Sequence, residues 1–437
     1  MNIDTLVNAR WIIPVEPEGK IFEFHSLAIN GGEILDILPT AQALEKYTAS
    51  DVLQLDSHAL IPGLINAHTH AAMTLFRGLA DDLPLMNWLN NHIWPAEQKW
   101  VNPEFVEAGT QLAIAEMIRG GTTCFNDMYF FPDHTADVAI SAGMRAMIGL
   151  IMIDFPTAWA KDPDEYLSKG INVHDKYKHN PLMRTAFAPH APYTVSDEPL
   201  KKINIDAEEL NIPIHMHVHE TRDEIENSKE QYGKRPIQRL HDLGLLNERM
   251  MAVHVTQIEQ DEIELIARLG TSVLHCPESN LKLASGFCPV NDLLQAGVNV
   301  ALGTDGAASN NDLDMLGEMH SAALLAKGVA NDSSAVPAQT VLEMATINAA
   351  RALDMNKEIG SLIKGKQADI VAIDLNSIET QPVYNPVSQI VYSCNRQQVT
   401  DVWVAGKQLL KSRELTTIDQ AGVLEKTRSW QEKISNS

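Results

Sequence analysis

"LIPGLINAHTH" (60–70) is an apolar run that ends on two histidines one residue apart. Residues i and i+2 of a strand share a face. His68 and His70 can therefore offer both imidazoles to one point at a strand's C-terminal end. The same design recurs downstream. Short apolar runs carry their polar residues near their ends in "TTCFNDM" (122–128), "MRAMIGLIMI" (144–153), "MRTAFAPHAP" (183–192), "IPIHMHVHE" (212–220), "MMAVHVTQ" (250–257), "TSVLHCPESN" (271–280) and "VNVALGTDG" (298–306). Stretches of helical periodicity separate most of them, such as "EFVEAGTQLAIAEMIRGG" and "QDEIELIARLG". Repeated β-α alternation predicts parallel strands joined by crossover helices. Eight such units over about 250 residues predict an α/β fold of the (β/α)8 TIM-barrel type, with a doubly wound open sheet as runner-up.

The two ends of the chain read differently. Residues 1–59 hold "TLVNARWIIPV" and "SLAINGGEILDILP", and 360–412 hold "GSLIKGKQADIVAIDL", "PVSQIVYSC" and "VTDVWVAGKQLL". These β-like pieces are expected to pair into a small β-sandwich domain. The expected division is 1–59 for its first part, 60–353 for the barrel, and 354–437 for its second part plus a C-terminal helix over "AGVLEKTRSWQEKIS".

The 437-residue chain has a net charge of −23. That charge argues against a nucleic-acid partner, whose phosphates are bound by Lys and Arg. A small-molecule partner is expected. The 4 cysteines form no CxxC, which suits a reducing cytoplasm. "MNIDTLVNARWIIP" lacks the basic-then-apolar pattern of a secretory leader. The run "AMIGLIMI" (146–153) is too short to span a bilayer. A cytoplasmic protein without membrane contact is expected, and a homo-oligomer is compatible with all of this.

The polar strand ends suggest chemistry, because parallel barrels build their sites on that rim. His68 and His70 end the first run, His215, His217 and His219 the fifth, His254 lies in the sixth, His275 in the seventh, and Asp305 ends the eighth. A catalytic zinc needs nitrogen or oxygen ligands at about 2.0–2.2 Å and one open position. His68, His70, one histidine of the fifth strand and Asp305 supply three neutral imidazoles and one carboxylate. Such a site stays positive, so bound water ionises near neutral pH. Alternation cannot choose among His215, His217 and His219, which share one strand face. His275, alone on an apolar strand, reads as a core residue. The deaminase pattern H-x-E with P-C-x-x-C is absent: none of the 16 histidines has Glu at i+2.

Seven segments, in order and spread over nearly the whole chain, resemble the amidohydrolase superfamily. Within it they resemble the adenosine-type deaminases that act on 5′-methylthioadenosine and S-adenosylhomocysteine. The segments are "PGLINAHTH" (62–70), "WPAEQKW" (94–100), "FAPHAPYTVS" (187–196), "HMHVHET" (215–221), "VLHCPESNLKLASG" (273–286), "GTDGAASNNDLDM" (303–315) and "GSLIKGKQADIVAID" (360–374). The resemblance implies one divalent metal, Zn2+ first, held by His68, His70, His217 and Asp305. His215 then lies one pleat deeper as a structural residue, and His219 occupies a position often held by a small residue. No Lys ends the fourth strand, so no lysine bridges a second ion.

The resemblance further implies that Glu220 passes protons to the purine N1 and the leaving amine, while His254 and Asp305 hold the water. Glu220 reaches the metal only if the strand ends or bends after His217. Glu97 and His190 become ribose or ring contacts beside Glu220 and Asp305, and 71–102 becomes a loop walling an apolar 5′ pocket. Some relatives carry an Arg where Leu150 stands, so the S-adenosylhomocysteine tail lacks a charge partner there. A guanine deaminase or a triazine chlorohydrolase or aminohydrolase shares the metal set but needs no ribose carboxylate. A non-enzymatic barrel scaffold predicts lost ligands, and all four are present.

Overall fold

The structure, a computed structural model, describes residues 1–436. Eight parallel strands follow one another around a barrel: Leu64–Thr69, Thr122–Asp127, Arg145–Met152, Met183–Pro189, Ile214–Val218, Met250–His254, Ser272–His275 and Val300–Leu302. Nearly every residue in them is buried, as expected when helices cover the outside and side chains fill the inside. Strand alternation sorts the apolar side chains. Ile65, Cys124, Met147, Ala186, Met251 and Leu274 fill the interior, whereas Ile148, Leu150, Phe187, Met216 and Val273 join the helical layer.

Side chains and one backbone bond close the barrel. The Asp305 N–H donates to the His68 carbonyl at 3.0 Å. Asn66 Nδ2 donates to Thr304 Oγ1 at 2.7 Å, and the Thr304 N–H donates to Asn66 Oδ1 at 3.0 Å. Gly303 permits this approach: a β-carbon there would lie 2.6 Å from the His68 nitrogen. Closure thus brings His68 and Asp305 together.

The run at 60–70 is two strands. Thr48–Pro62 belongs to a second sheet, where Ile61 faces Val371, and the first barrel strand begins at Leu64. Gly63 marks the switch, because a β-carbon there would sit 1.9 Å from Thr123 Oγ1. The second sheet is the small β domain expected from the chain ends, built as one continuous eight-stranded mixed sheet. Its strands, in order across the sheet, are Glu414–Leu415, Lys407–Lys411, Val399–Val404, Ile370–Asp374, Thr48–Pro62, Asn2–Ile12, Phe22–Asn30 and Glu33–Pro39. Antiparallel pairing of Ile370–Asp374 with Thr48–Pro62 stitches the two chain ends together. A buried ion pair, Arg145 Nε to Asp369 Oδ2 at 2.9 Å, ties this sheet to the start of the third barrel strand, at the end opposite the rim.

The loop after the first barrel strand folds into short helices, Ala71–Phe76, Leu85–Trp88, Leu89–Ile93 and Trp94–Trp100. The helix Pro103–Arg119 and the C-terminal helix Gln420–Ser435 back it, with Trp430 edge-on to Phe105 at 5.3 Å. Among the described residues no helix is long and apolar enough to cross a membrane.

Candidate metal centre and active site

Four donors converge at the C-terminal rim. His68 Nε2 and His70 Nε2 each lie 3.3 Å from Asp305 Oδ1, and His217 Nε2 lies 3.2 Å from His68 Nε2. The four ligand atoms fall within 4.8 Å of one another. Hydrogen bonds fix two of the ring tautomers. His70 Nδ1 meets the Met128 carbonyl at 2.5 Å, and His217 Nδ1 meets the His190 carbonyl at 2.7 Å. A carbonyl only accepts, so both Nδ1 atoms carry the proton and both Nε2 lone pairs face the centre. His68 Nδ1 meets His215 Nε2 at 2.8 Å. Asp305 Oδ2 accepts from Ser279 and Ser309, each at 2.7 Å, and Oδ1 accepts from the Gly306 N–H at 2.7 Å.

These residues fit one divalent ion. Three of the donor pairs lie 3.2–3.3 Å apart, a spacing that donors about 2.0–2.1 Å from one shared ion can adopt. Burial disfavours a charged His70, yet the Asp305 carboxylate beside it lifts it to about 9, so a proton on His70 Nε2 and a divalent ion compete for the same lone pair. Burial opposes ionisation of Asp305, and protons on the neighbouring His68 and His70 rings, which a bound ion would displace, hold it well below the usual carboxylate range.

Left-handed turns end three of the strands that carry the site. His219 has φ 55°, His254 φ 73° and Asp305 φ 62°. Non-glycine residues persist in this region only where their surroundings over-determine them. The turn at His219 ends the fifth strand after Val218 and swings Glu220 toward the cavity that His217 borders. His219 itself is buried on the far side, where its Nε2 accepts the Ile237 N–H at 3.1 Å. His254 Nδ1 meets Asn280 Oδ1 at 2.9 Å, and its Nε2 lies 4.0 Å from Glu220 Oε1. His275 is buried at the end of the seventh strand and does not border the cavity.

The cavity has a volume of about 700 Å³ and runs from His70, His217 and Asp305 to the loop helices. Leu85, Trp88, Leu89, Ile93, Trp94 and Phe155 give it an apolar wall. Its polar groups beside the donors include Glu97, His190, Glu220, His254 and Ser309. Among the described residues no Lys or Arg borders it. Glu97 accepts the Tyr129 hydroxyl at 2.8 Å, and burial pushes its carboxyl up to about 7. Burial, with the nearby Asp305 charge, pushes Glu220 up to about 8. Burial drives His190 down to about 3, and its Nδ1 meets Thr194 Oγ1 at 3.0 Å.

Leu150 takes a different place from the one its sequence position suggested. It faces outward against Gly170, so it neither offers nor withholds a contact in the cavity, and Ile151 and Ile153 are the residues that border it. Several functional neighbours carried no assignment in the sequence. Tyr129, Ser279, Ser309 and Asn280 support Glu97, Asp305 and His254, and three of them lie inside "CPESN" and "DGAASN", where only proximity to a strand end marked them.

The chain belongs to the amidohydrolase family, whose pattern spans residues 59–409. Over 432 residues it is 52% identical to a 5-methylthioadenosine/S-adenosylhomocysteine deaminase of Teredinibacter turnerae, with 99% of this chain and 98% of that protein covered. An adenosine deaminase from Xanthomonas campestris, solved with bound zinc, is 51% identical and superposes with a TM-score of 0.99 over 100% of this chain and 99% of that one. An atrazine chlorohydrolase from Arthrobacter aurescens TC1, complexed with zinc, is 21% identical with a TM-score of 0.91 over 98% of this chain and 100% of that one, a likeness of fold alone.

Proposed function

We propose that this protein is a zinc-dependent deaminase that replaces the C6 amine of 5′-methylthioadenosine and S-adenosylhomocysteine by oxygen, giving the inosine analogue and ammonia. One observation carries the reading: a single cavity is bordered by His70, His217 and Asp305 of the donor set, by a proton-holding Glu220 and by a second, half-buried carboxyl group, Glu97, within an apolar wall. His68, His70, His217 and Asp305 would hold the metal. When bound, the ion supplies Lewis acidity that lowers the pKa of a water molecule toward neutrality and makes it a nucleophile.

The chain's own side chains do the rest. Glu220, raised to about 8, keeps a proton at neutral pH and donates it to ring N1, which draws electron density from C6. Water adds at C6, oriented by Asp305 and His254, whose Nε2 lies 4.0 Å from Glu220 Oε1. The proton that water loses passes through Glu220 to the exocyclic amine, which leaves as ammonia while the C6 hydroxyl gives its remaining proton back to Glu220 and becomes the carbonyl of the inosine analogue. Glu97 accepts the ribose hydroxyls and His190 adds a ribose or ring contact. The apolar wall takes the 5′ substituent. A methyl-sized gain in such a pocket is worth roughly 1–3 kcal/mol, so kcat/KM for methylthioadenosine exceeds that for adenosine.

The test is a steady-state comparison of methylthioadenosine, adenosine, S-adenosylhomocysteine, guanine and a chlorotriazine. Methylthioadenosine leads if the reading holds. A lead for guanine or the chlorotriazine refutes the substrate assignment.

A further inference from the structure

Glu220 lies on neither a strand nor a helix. It occupies the short turn between the fifth barrel strand, which ends at Val218, and the helix Arg222–Tyr232. The turn opens on the left-handed His219, at φ 55°. Glu224, in the first turn of that helix, folds back beneath it. One carboxylate oxygen accepts the His219 N–H at 2.9 Å and the other accepts the Glu220 N–H at 2.7 Å. From the opposite side Thr256 Oγ1 donates to the Glu220 carbonyl at 2.7 Å, and the Thr256 N–H donates to the His219 carbonyl at 3.0 Å. The Glu220 amide and carbonyl are therefore both held, which leaves little freedom in the direction of its side chain.

Glu224 is 5% exposed and forms no ion pair among the described residues. A buried carboxylate without a cation is costly. The helix does not need it as a cap, because Thr221 Oγ1 already accepts the Glu224 N–H. Nor does Glu224 border the cavity. Both of its oxygens are committed to the two amides that set where Glu220 points.

We propose that Glu224 is a positioning residue for the deamination: its carboxylate clamps the His219–Glu220 turn and so aims the Glu220 carboxyl at the substrate ring. The inference rests on Glu220 being the proton donor. Its energetic signature is non-additivity, since a residue that acts only by aiming a carboxyl has nothing to aim once the carboxyl is gone.

The experiment is a double-mutant cycle on the zinc-loaded protein with methylthioadenosine, using Glu220→Gln, Glu224→Gln and the double variant. Zinc content and Tm are measured alongside kcat and KM. In Glu224→Gln the new side-chain amide offers one acceptor oxygen and turns an N–H toward the other backbone amide, so one of the two bonds is lost. Glu224→Gln is expected to lower kcat about 10–100-fold with KM within about threefold, at one zinc per chain. In the Glu220→Gln background the same change is expected to leave the residual kcat within about twofold. An equal loss in both backgrounds, or no loss in the single variant, overturns the clamp. Should Glu224→Gln fail to fold, Glu224→Asp, one methylene shorter, reaches only one amide and enters the same cycle with the same outcomes. Full turnover by Glu220→Gln alone would overturn the proton-donor role and the clamp together, which separates that failure from failure of the clamp alone.

Discussion

Replacing His215 with Leu should weaken zinc binding without unfolding the protein. His215 Nε2 lies 2.8 Å from His68 Nδ1 and is the neighbour that holds that imidazole. For His68 to present its Nε2 lone pair to zinc, Nδ1 must carry the proton and His215 must accept it. Removing such an outer partner typically costs 10–100-fold in metal affinity, which is about 1.4–2.7 kcal/mol at 1.36 kcal/mol per tenfold. The fold should feel much less. His215 then carries its own proton on Nδ1, a buried atom with no hydrogen-bond partner. Leucine removes that unpaired donor and leaves another on His68, so the metal-free protein should change stability by less than about 1 kcal/mol, the ordinary range for a swap without a net change in buried polar pairing. Zinc affinity is read by competition with a chromophoric chelator, and Tm is read on chelator-treated protein. Unchanged zinc affinity would refute the tautomer argument. A collapse of the metal-free Tm would show that His215 matters through packing.

Gly303→Ala should lose zinc binding outright, because its β-carbon would press within 2.6 Å of the His68 nitrogen where the first and eighth strands meet; metal analysis of the purified variant checks this. Glu97 sits at about 7 against an ordinary 4.5 because burial disfavours its charge. Its stabilising contribution is then fully present below pH 4.5 and is lost as pH rises through 7. Glu97→Gln should therefore raise Tm over the parent at about pH 8 more than at about pH 5, and an equal shift at both would contradict the burial argument. The parent's KM should climb as pH falls below about 7, when Glu97 takes up a proton and no longer accepts from the ribose hydroxyls. Glu97→Gln should flatten that climb and raise KM at all pH values.

The barrel was legible because its strands are short apolar runs with polar ends, and all eight appear as strands in sequence order. The break at Gly63 was not. Residues 59–69 are buried throughout, and a fully buried run carries no alternation to show that the chain changes sheets midway. The donor set was legible in "HTH" and "TDG", since strand geometry alone puts i and i+2 on one face. The choice of His217 over His215 and His219 was beyond alternation. It is settled in space by the left-handed turn at His219, which points that side chain away, and by the bond that ties His215 to His68. Glu224 was legible only in part: Thr221-x-x-Glu224 has the spacing of a capping box, which sends the acid back to the N-cap amide, but its bonds reach instead the two amides before Thr221, which no local pattern shows.

The reaction itself is tested most directly by turnover of 5′-methylthioadenosine in water enriched in oxygen-18, with the purine product and ammonia quantified by mass spectrometry. Hydrolytic deamination at C6 predicts a methylthioinosine carrying one heavy oxygen and one ammonia per product, lost in Glu220→Gln protein that still holds its zinc. Release of free adenine, or an intact substrate beside a turned-over chlorotriazine, would contradict it.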